Sequence, residues 1–246
     1  MGENSPYTKY FRRLRRAPTG YSDVVGGDFE NMGYLQLCLL RHAGLKKDHS
    51  LVDVGCGTGR LAHHLNQWGL KDYRGYDVVK GMLRLAAKKV NQPHYFFGLI
   101  KEELIKIRHD TVDFVCFFSV VTHLPHHTSF RYLLDGMRVL KPGGRLVFSY
   151  LAYDCESHWP FFAYVVGNRN VEPTNQLMAH SQIRLWAERL GAPLIELHDG
   201  DKPFFPIDRP ITLENGAEMR ELGMLGQSVC ILEKPEVWQP NQGYGS

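Results

Sequence analysis

The chain has 246 residues, 43% of them apolar and 22% charged, with a formal net charge of +3. That length suits one large core with decorations, and so even a charge balance, without a basic stripe, argues against a large nucleic acid as partner. The five cysteines (Cys38, Cys56, Cys116, Cys155 and Cys230) are odd in number and never form CxxC, which argues against a disulfide framework or zinc knuckle and favours a reducing cytoplasm.

The opening stretch "MGENSPYTKYFRRLRRAP" lacks an apolar core, and Pro6 stands where a myristoylation signal needs Ser or Thr, so neither a signal peptide nor an acyl anchor is expected. Arg12, Arg13, Arg15 and Arg16 form either a solvated helix face or a basic contact for phosphates, acidic lipid or substrate. "NMGYLQLCLLRHAGL" (31–45) has apolar residues at helical spacing and closes at Gly44. "LVDVG" (51–55) then reads as a buried strand and "GRLAHHLNQWG" (59–69) as a helix. The alternation repeats: strand "YRGYD" (73–77), helix "KGMLRLAAKKV" (80–90), strand "HYFFG" (94–98) and apolar strand "VDFVCFF" (112–118). A helix over "HTSFRYLLDGMRVL" (127–140), the turn "KPGG" (141–144) and the strand "RLVFSYL" (145–151) follow. Apolar strands alternating with helices predict a parallel sheet covered on both faces. None of the apolar runs approaches the roughly 20 residues needed to span a bilayer.

The last third adds a helix at "SQIRLWAERLG" (181–191), a strand at "PLIELHD" (193–199) and a final strand at "QSVCILEK" (227–234). Between the two strands, "ITLENGAEM" places Asn215 and Gly216 at the tip of a predicted hairpin.

"DVGCGTGR" (53–60) decides the ligand. A dinucleotide fingerprint is GxGxxG, but here Gly55, Gly57 and Gly59 alternate and Arg60 occupies the place of the third glycine. Asp53, at the end of the first strand, opposes a pyrophosphate and attracts an ammonium group, while the helix start accepts a single carboxylate. Asp77 ends the second strand about 20 residues further on, where an acid takes ribose hydroxyls. A ligand with an amino acid end, a ribose and no phosphate is S-adenosylmethionine.

With these residues in place, the stretch from about Gly44 to Leu151 resembles the class I S-adenosylmethionine-dependent methyltransferases: "LVDVGCGTGRLAHHL", "YRGYD", "VDFVCFFSVVTHL" and "VLKPGGRLVFSYL" match four of that family's motifs in order. The resemblance implies a Rossmann-like, seven-stranded, mostly parallel sheet with helices on both faces and an antiparallel last strand. It also implies that Asp53, Gly55, Cys56 and Gly57 line the methionine end and Asp77 the ribose. Val78, Met82 and Leu99 would flank the adenine, and Phe118 and Ser119 would lie by the methyl. Many relatives have an acid just after the third strand, where this chain has Leu99 and Ile100. Residues 1–45 are then a helical lid and substrate segment. Residues 46–234 are the cofactor-binding domain, with acceptor-side insertions at 152–180 and 200–226, and 235–246 a flexible tail.

Ligands of open α/β sheets sit beyond the carboxyl ends of the strands, so "SVVTHLPHH" (119–127) should carry the chemistry. His123 is either the general base or a residue packing beside the cofactor, with Asp154 and His158 as alternative bases. Thr122, Tyr150, Tyr153 and Trp159, with Tyr21 and Phe29 from the lid, are predicted to hold the acceptor. No carboxylate completes a metal site with these histidines, and no metal is expected. The [DN]PP[YF] sequence of nucleobase amine methylation is absent, leaving a small molecule or sugar, methylated on oxygen before nitrogen. The open alternatives are an oxidoreductase with an altered loop and a catalytically silent cofactor-binding scaffold or regulatory subunit; for the methyltransferase itself a homodimer is one possible partner state.

Overall fold

The structure is a computed structural model and describes residues 28–170, 175–214 and 216–239. Tyr21, the arginines at 12–16, Asn215 and residues 240–246 lie outside the described residues.

The elements are α1 (Phe29–His42), β1 (Ser50–Val54), α2 (Arg60–Trp68), β2 (Asp72–Asp77), α3 (Lys80–Val90), β3 (Phe96–Leu99) and β4 (Val112–Phe117). They continue with α4 (His126–Val139), β5 (Leu140–Ala152), α5 (Trp159–Gly167), α6 (His180–Leu190), β6 (Leu194–His198) and β7 (Ser228–Glu233). Strand order is β3-β2-β1-β4-β5-β7-β6. The β2–β3 and β4–β5 pairs are parallel, and β7 runs antiparallel to both β5 and β6. This is the expected mostly parallel α/β sheet with an antiparallel last strand. Leu177–Met178 adds a short eighth strand beside the end of β5. Every residue of β1 is buried, and β4 is buried except at Asp113, which is why these strands read as apolar runs.

Two compact units divide the described chain. The first holds residues 28–49, 53–102 and 204–223. Here Asp28 caps α1, its Oδ1 accepting the Asn31 N–H at 3.0 Å. The helix packs on α2 through Gly33, where a Cβ would stand 2.5 Å from His64 Cδ2 and 2.7 Å from the Arg60 carbonyl oxygen. Two short ribbons complete the unit, Ile211–Thr212 with Glu218–Met219 and Phe205–Pro206 with Leu222–Gly223. The first of them is the hairpin predicted at "ITLENGAEM".

The second unit holds residues 50–52, 103–203 and 224 onward. Asp113 accepts the N–H and O–H of Ser50 at 2.8 and 2.7 Å and the Lys141 ammonium at 2.8 Å, tying the start of β1 to β4 and β5. Lys234, at the end of β7, is buried: its Nζ donates to Asp110 Oδ1 (2.6 Å) and the carbonyls of Arg138 (3.2 Å) and Leu140 (2.7 Å). Trp238 lies under that ammonium at 4.8 Å and donates its indole N–H to the Leu190 carbonyl at 2.8 Å, so the chain is still docked beyond Pro235, where a tail was expected. No helix among the described residues is long and apolar enough to cross a membrane.

Candidate functional site

In the first unit, β1 delivers the glycine turn to the start of α2. Asp77, at the end of β2, closes over it: its Oδ2 accepts the Gly57 N–H at 3.0 Å and its Oδ1 the Val79 N–H at 2.8 Å. Burial pushes this carboxyl up to about 6, against the pull of those N–H donors. Asp53 is buried as well, and its Oδ2 accepts the Tyr73 O–H at 2.8 Å. It acts on its surroundings mainly through charge: burial lowers the neighbouring Arg60 guanidinium, and Asp53 and Asp28 oppose that shift. Cys56 is buried behind the turn, with its thiol pushed well up by desolvation. Gly59 has φ 84°, and a Cβ there would meet Ala86 Cβ at 3.0 Å, so this third glycine lets α3 approach the turn.

The donor set fits S-adenosylmethionine. A carboxylate offers about four lone-pair sites; Gly57 and Val79 use two of those on Asp77, leaving acceptors for ribose hydroxyls. Met82 is buried, while Val78 and Leu99 are each 38% exposed and open to a ligand. Phe29, expected in the substrate segment, has the Lys89 ammonium 3.3 Å from its ring centroid.

In the second unit, Phe118 is buried just past β4, and Ser119 takes φ 57°. A single helical turn, Val121–His123, follows. Thr122 is 1% exposed and its Oγ1 has no hydrogen-bond partner among the described residues, while its carbonyl accepts the Gln176 N–H at 2.6 Å. His123 is half-buried, its backbone N–H bonded to the Val120 carbonyl at 3.0 Å.

Of the residues expected to contact or activate the acceptor, His158 and Tyr150 are committed elsewhere, and Asp154 has one oxygen so engaged. His158 is 1% exposed; its Nδ1 accepts the Ala152 N–H at 2.8 Å and its Nε2 donates to the Gly226 carbonyl at 3.2 Å. Burial lowers its pKa, and neither ring nitrogen is left to take a substrate proton. Asp154 Oδ2 accepts the His180 N–H at 2.7 Å, serving the first turn of α6. Tyr150 is fully buried, and its O–H meets His180 Nδ1 at 2.7 Å, whose Nε2 meets Asp199 Oδ1 at 2.7 Å. By contrast Tyr153 and Trp159 are exposed and cluster with Phe162, with ring centroids 5.1 to 6.4 Å apart.

Sequence reasoning passed over Ser149, Gln227, His180 and Asp199. Gln227 Oε1 lies 3.2 Å from Ser119 Oγ and 2.7 Å from Ser149 Oγ. Its only signal was its place directly before the apolar run of β7.

Residues 52–148 match the methyltransferase domain family. Among curated relatives, the malonyl-[acyl-carrier protein] O-methyltransferase of Hahella chejuensis is 28% identical over 56% of this chain and 49% of its own length. The ubiquinone biosynthesis O-methyltransferase of Photobacterium profundum is 29% identical over 48% and 50%. The chain thus spans about half the length of these two relatives. The fold is shared with the magnesium protoporphyrin IX methyltransferase of Synechocystis, solved with bound SAH (TM-score 0.58, 16% identity, covering 94% of each chain). It is also shared with an S-adenosylmethionine-dependent methyltransferase of Methanosarcina mazei (TM-score 0.58, 15% identity, covering 80% of this chain and 97% of that one).

Proposed function

The chain carries a class I S-adenosylmethionine-dependent methyltransferase domain, and from that premise we propose that it transfers a methyl group to an oxygen of a small molecule or sugar by direct in-line displacement. The observation that carries the cofactor half of this reading is the closure of Asp77 on the Gly57 amide at the end of β2. Two relatives, both O-methyltransferases, support oxygen as the acceptor atom.

S-adenosylmethionine supplies an electrophilic methyl on a sulfonium; the protein supplies position, dryness and a proton acceptor. Asp77 would accept the ribose hydroxyls and the start of α2 would receive the amino acid carboxylate, since the amides of Gly55, Cys56 and Gly57 are bonded to the Tyr76 carbonyl and Asp77. The charge of Asp53 would favour the ammonium. Val78, Met82 and Leu99 flank the base. Phe118 and Ser119 line the methyl side, and Thr122, 1% exposed, supports the turn from within, its carbonyl accepting the Gln176 N–H. His123 takes the acceptor's proton in this reading, in place of His158, both of whose ring nitrogens are bonded to backbone groups. Tyr153 and Trp159 form an aromatic face for the acceptor. A cytoplasmic setting suits the five free, buried cysteines.

The test is transfer of radiolabelled methyl from S-adenosylmethionine to a panel of phenols, carboxylic acids, sugars and amines. Labelled methyl ethers or esters support the reading. Binding of S-adenosylmethionine with no transfer to any class would favour the silent scaffold, and labelled amines alone would replace oxygen by nitrogen.

A further inference from the structure

Ser119 leaves β4 with φ 57°, in the left-handed region that a serine occupies only when its surroundings over-determine it. Its N–H donates to Ser149 Oγ at 2.8 Å. Having accepted there, the Ser149 hydroxyl turns its one proton to Gln227 Oε1 at 2.7 Å, and the Ser119 hydroxyl donates to the same oxygen at 3.2 Å. Both hydroxyls thus share the Gln227 amide as their partner. Ser149, at the centre of the network, is 1% exposed, while Ser119 and Gln227 are half-buried.

We propose that Gln227 is a positioning residue: through the hydroxyls of Ser119 and Ser149 it holds Ser119 in the left-handed backbone and so preshapes the turn that leads to Thr122 and His123. The inference rests on reading Ser119 as part of the methyl side of the cofactor site. Without the shared acceptor, Ser119 relaxes toward an ordinary backbone, and the ligand must then restore the strained form at the expense of affinity.

Gln227→Met keeps length and bulk while removing the acceptor. Titration calorimetry with S-adenosylhomocysteine should show affinity about tenfold weaker than wild type. A glycine at 119 takes the left-handed backbone unaided. Whatever Ser119→Gly costs by itself, adding Gln227→Met to it should then change affinity by less than about twofold. An equal loss from Gln227→Met in both backgrounds, or no loss in the wild-type background, overturns the proposal, since a merely structural role is not rescued by glycine. Amide exchange at Ser119 tests the clamp without ligand: it should quicken in Gln227→Met and in Ser149→Ala, and unchanged protection in either overturns the proposal. If wild type fails to bind S-adenosylhomocysteine, the cofactor reading falls, and the exchange measurement still decides the clamp.

Discussion

Asp77 accepts the amide of Gly57 at 3.0 Å, so the acid that ends β2 and the glycine turn that follows β1 form one unit before any ligand arrives. Because burial raises this carboxyl to about 6, its charge is conditional on pH. A neutral acid loses acceptor capacity for ribose hydroxyls. Affinity for S-adenosylhomocysteine should be level above about pH 7 and fall roughly tenfold per unit below about 6. Asp77→Asn should bind weakly with that dependence removed; calorimetry from acid to neutral pH checks both. In the free protein the sign for stability is opposite. A raised folded pKa contributes stability that is full below about 4 and is lost as pH rises through about 6.

Gly59 combines φ 84° with an approach to Ala86 that a Cβ would bring to 3.0 Å. Gly59→Ala should cost about 2 kcal/mol, from the left-handed penalty and the displaced α3, read by urea unfolding. A cost below about 0.5 kcal/mol would show that α3 can retreat.

His158 bridges Ala152 N–H and the Gly226 carbonyl with both ring nitrogens. His158→Ala should destabilise the protein by about 1 to 3 kcal/mol, since it leaves the buried Ala152 N–H without a partner and takes one from the Gly226 carbonyl. Its pKa is lowered by burial, so its contribution is present above about 6.5 and declines as pH falls below that. Loss of turnover in His158→Ala with unchanged stability would reinstate it as a base.

His123→Ala should lower kcat by about 10²- to 10⁴-fold and leave cofactor affinity little changed. The opposite pattern, weakened affinity with kcat retained, would make it a residue that packs beside the cofactor.

The sheet was legible because its central strands β1 and β4 are buried on both faces and its helices are punctuated by glycine, as at Gly44 and Gly69. The glycine turn and Asp77 were legible because a cofactor's parts impose fixed spacings along one β-α-β unit. "KPGG" was expected as a turn between helix and strand; β5 runs through it from Leu140, but its register against β4 jumps there, Val112 facing Leu140 and Phe114 facing Arg145, and Gly143 takes φ 73°. The aromatic run after β5 was less readable. Part of it forms α5, none of whose residues is buried, so its apolar character could not have signalled a core helix. Gln227, His180 and Asp199 were invisible because their partners, Ser119, Ser149 and Tyr150, lie far away along the chain, and no periodicity links hydroxyls, imidazoles and amides across such distances.

The burial of Lys234 has a practical corollary for chemical labelling. An amine reagent needs an exposed, unprotonated nitrogen, and this one is enclosed by one carboxylate, two carbonyls and the Trp238 ring. Lys101, on the surface, should acylate at once, while Lys234 should stay unmodified in the peptide map until the end of β7 comes loose. The ratio of the two adducts then serves as an internal clock for the opening of this part of the molecule, read without engineering a probe.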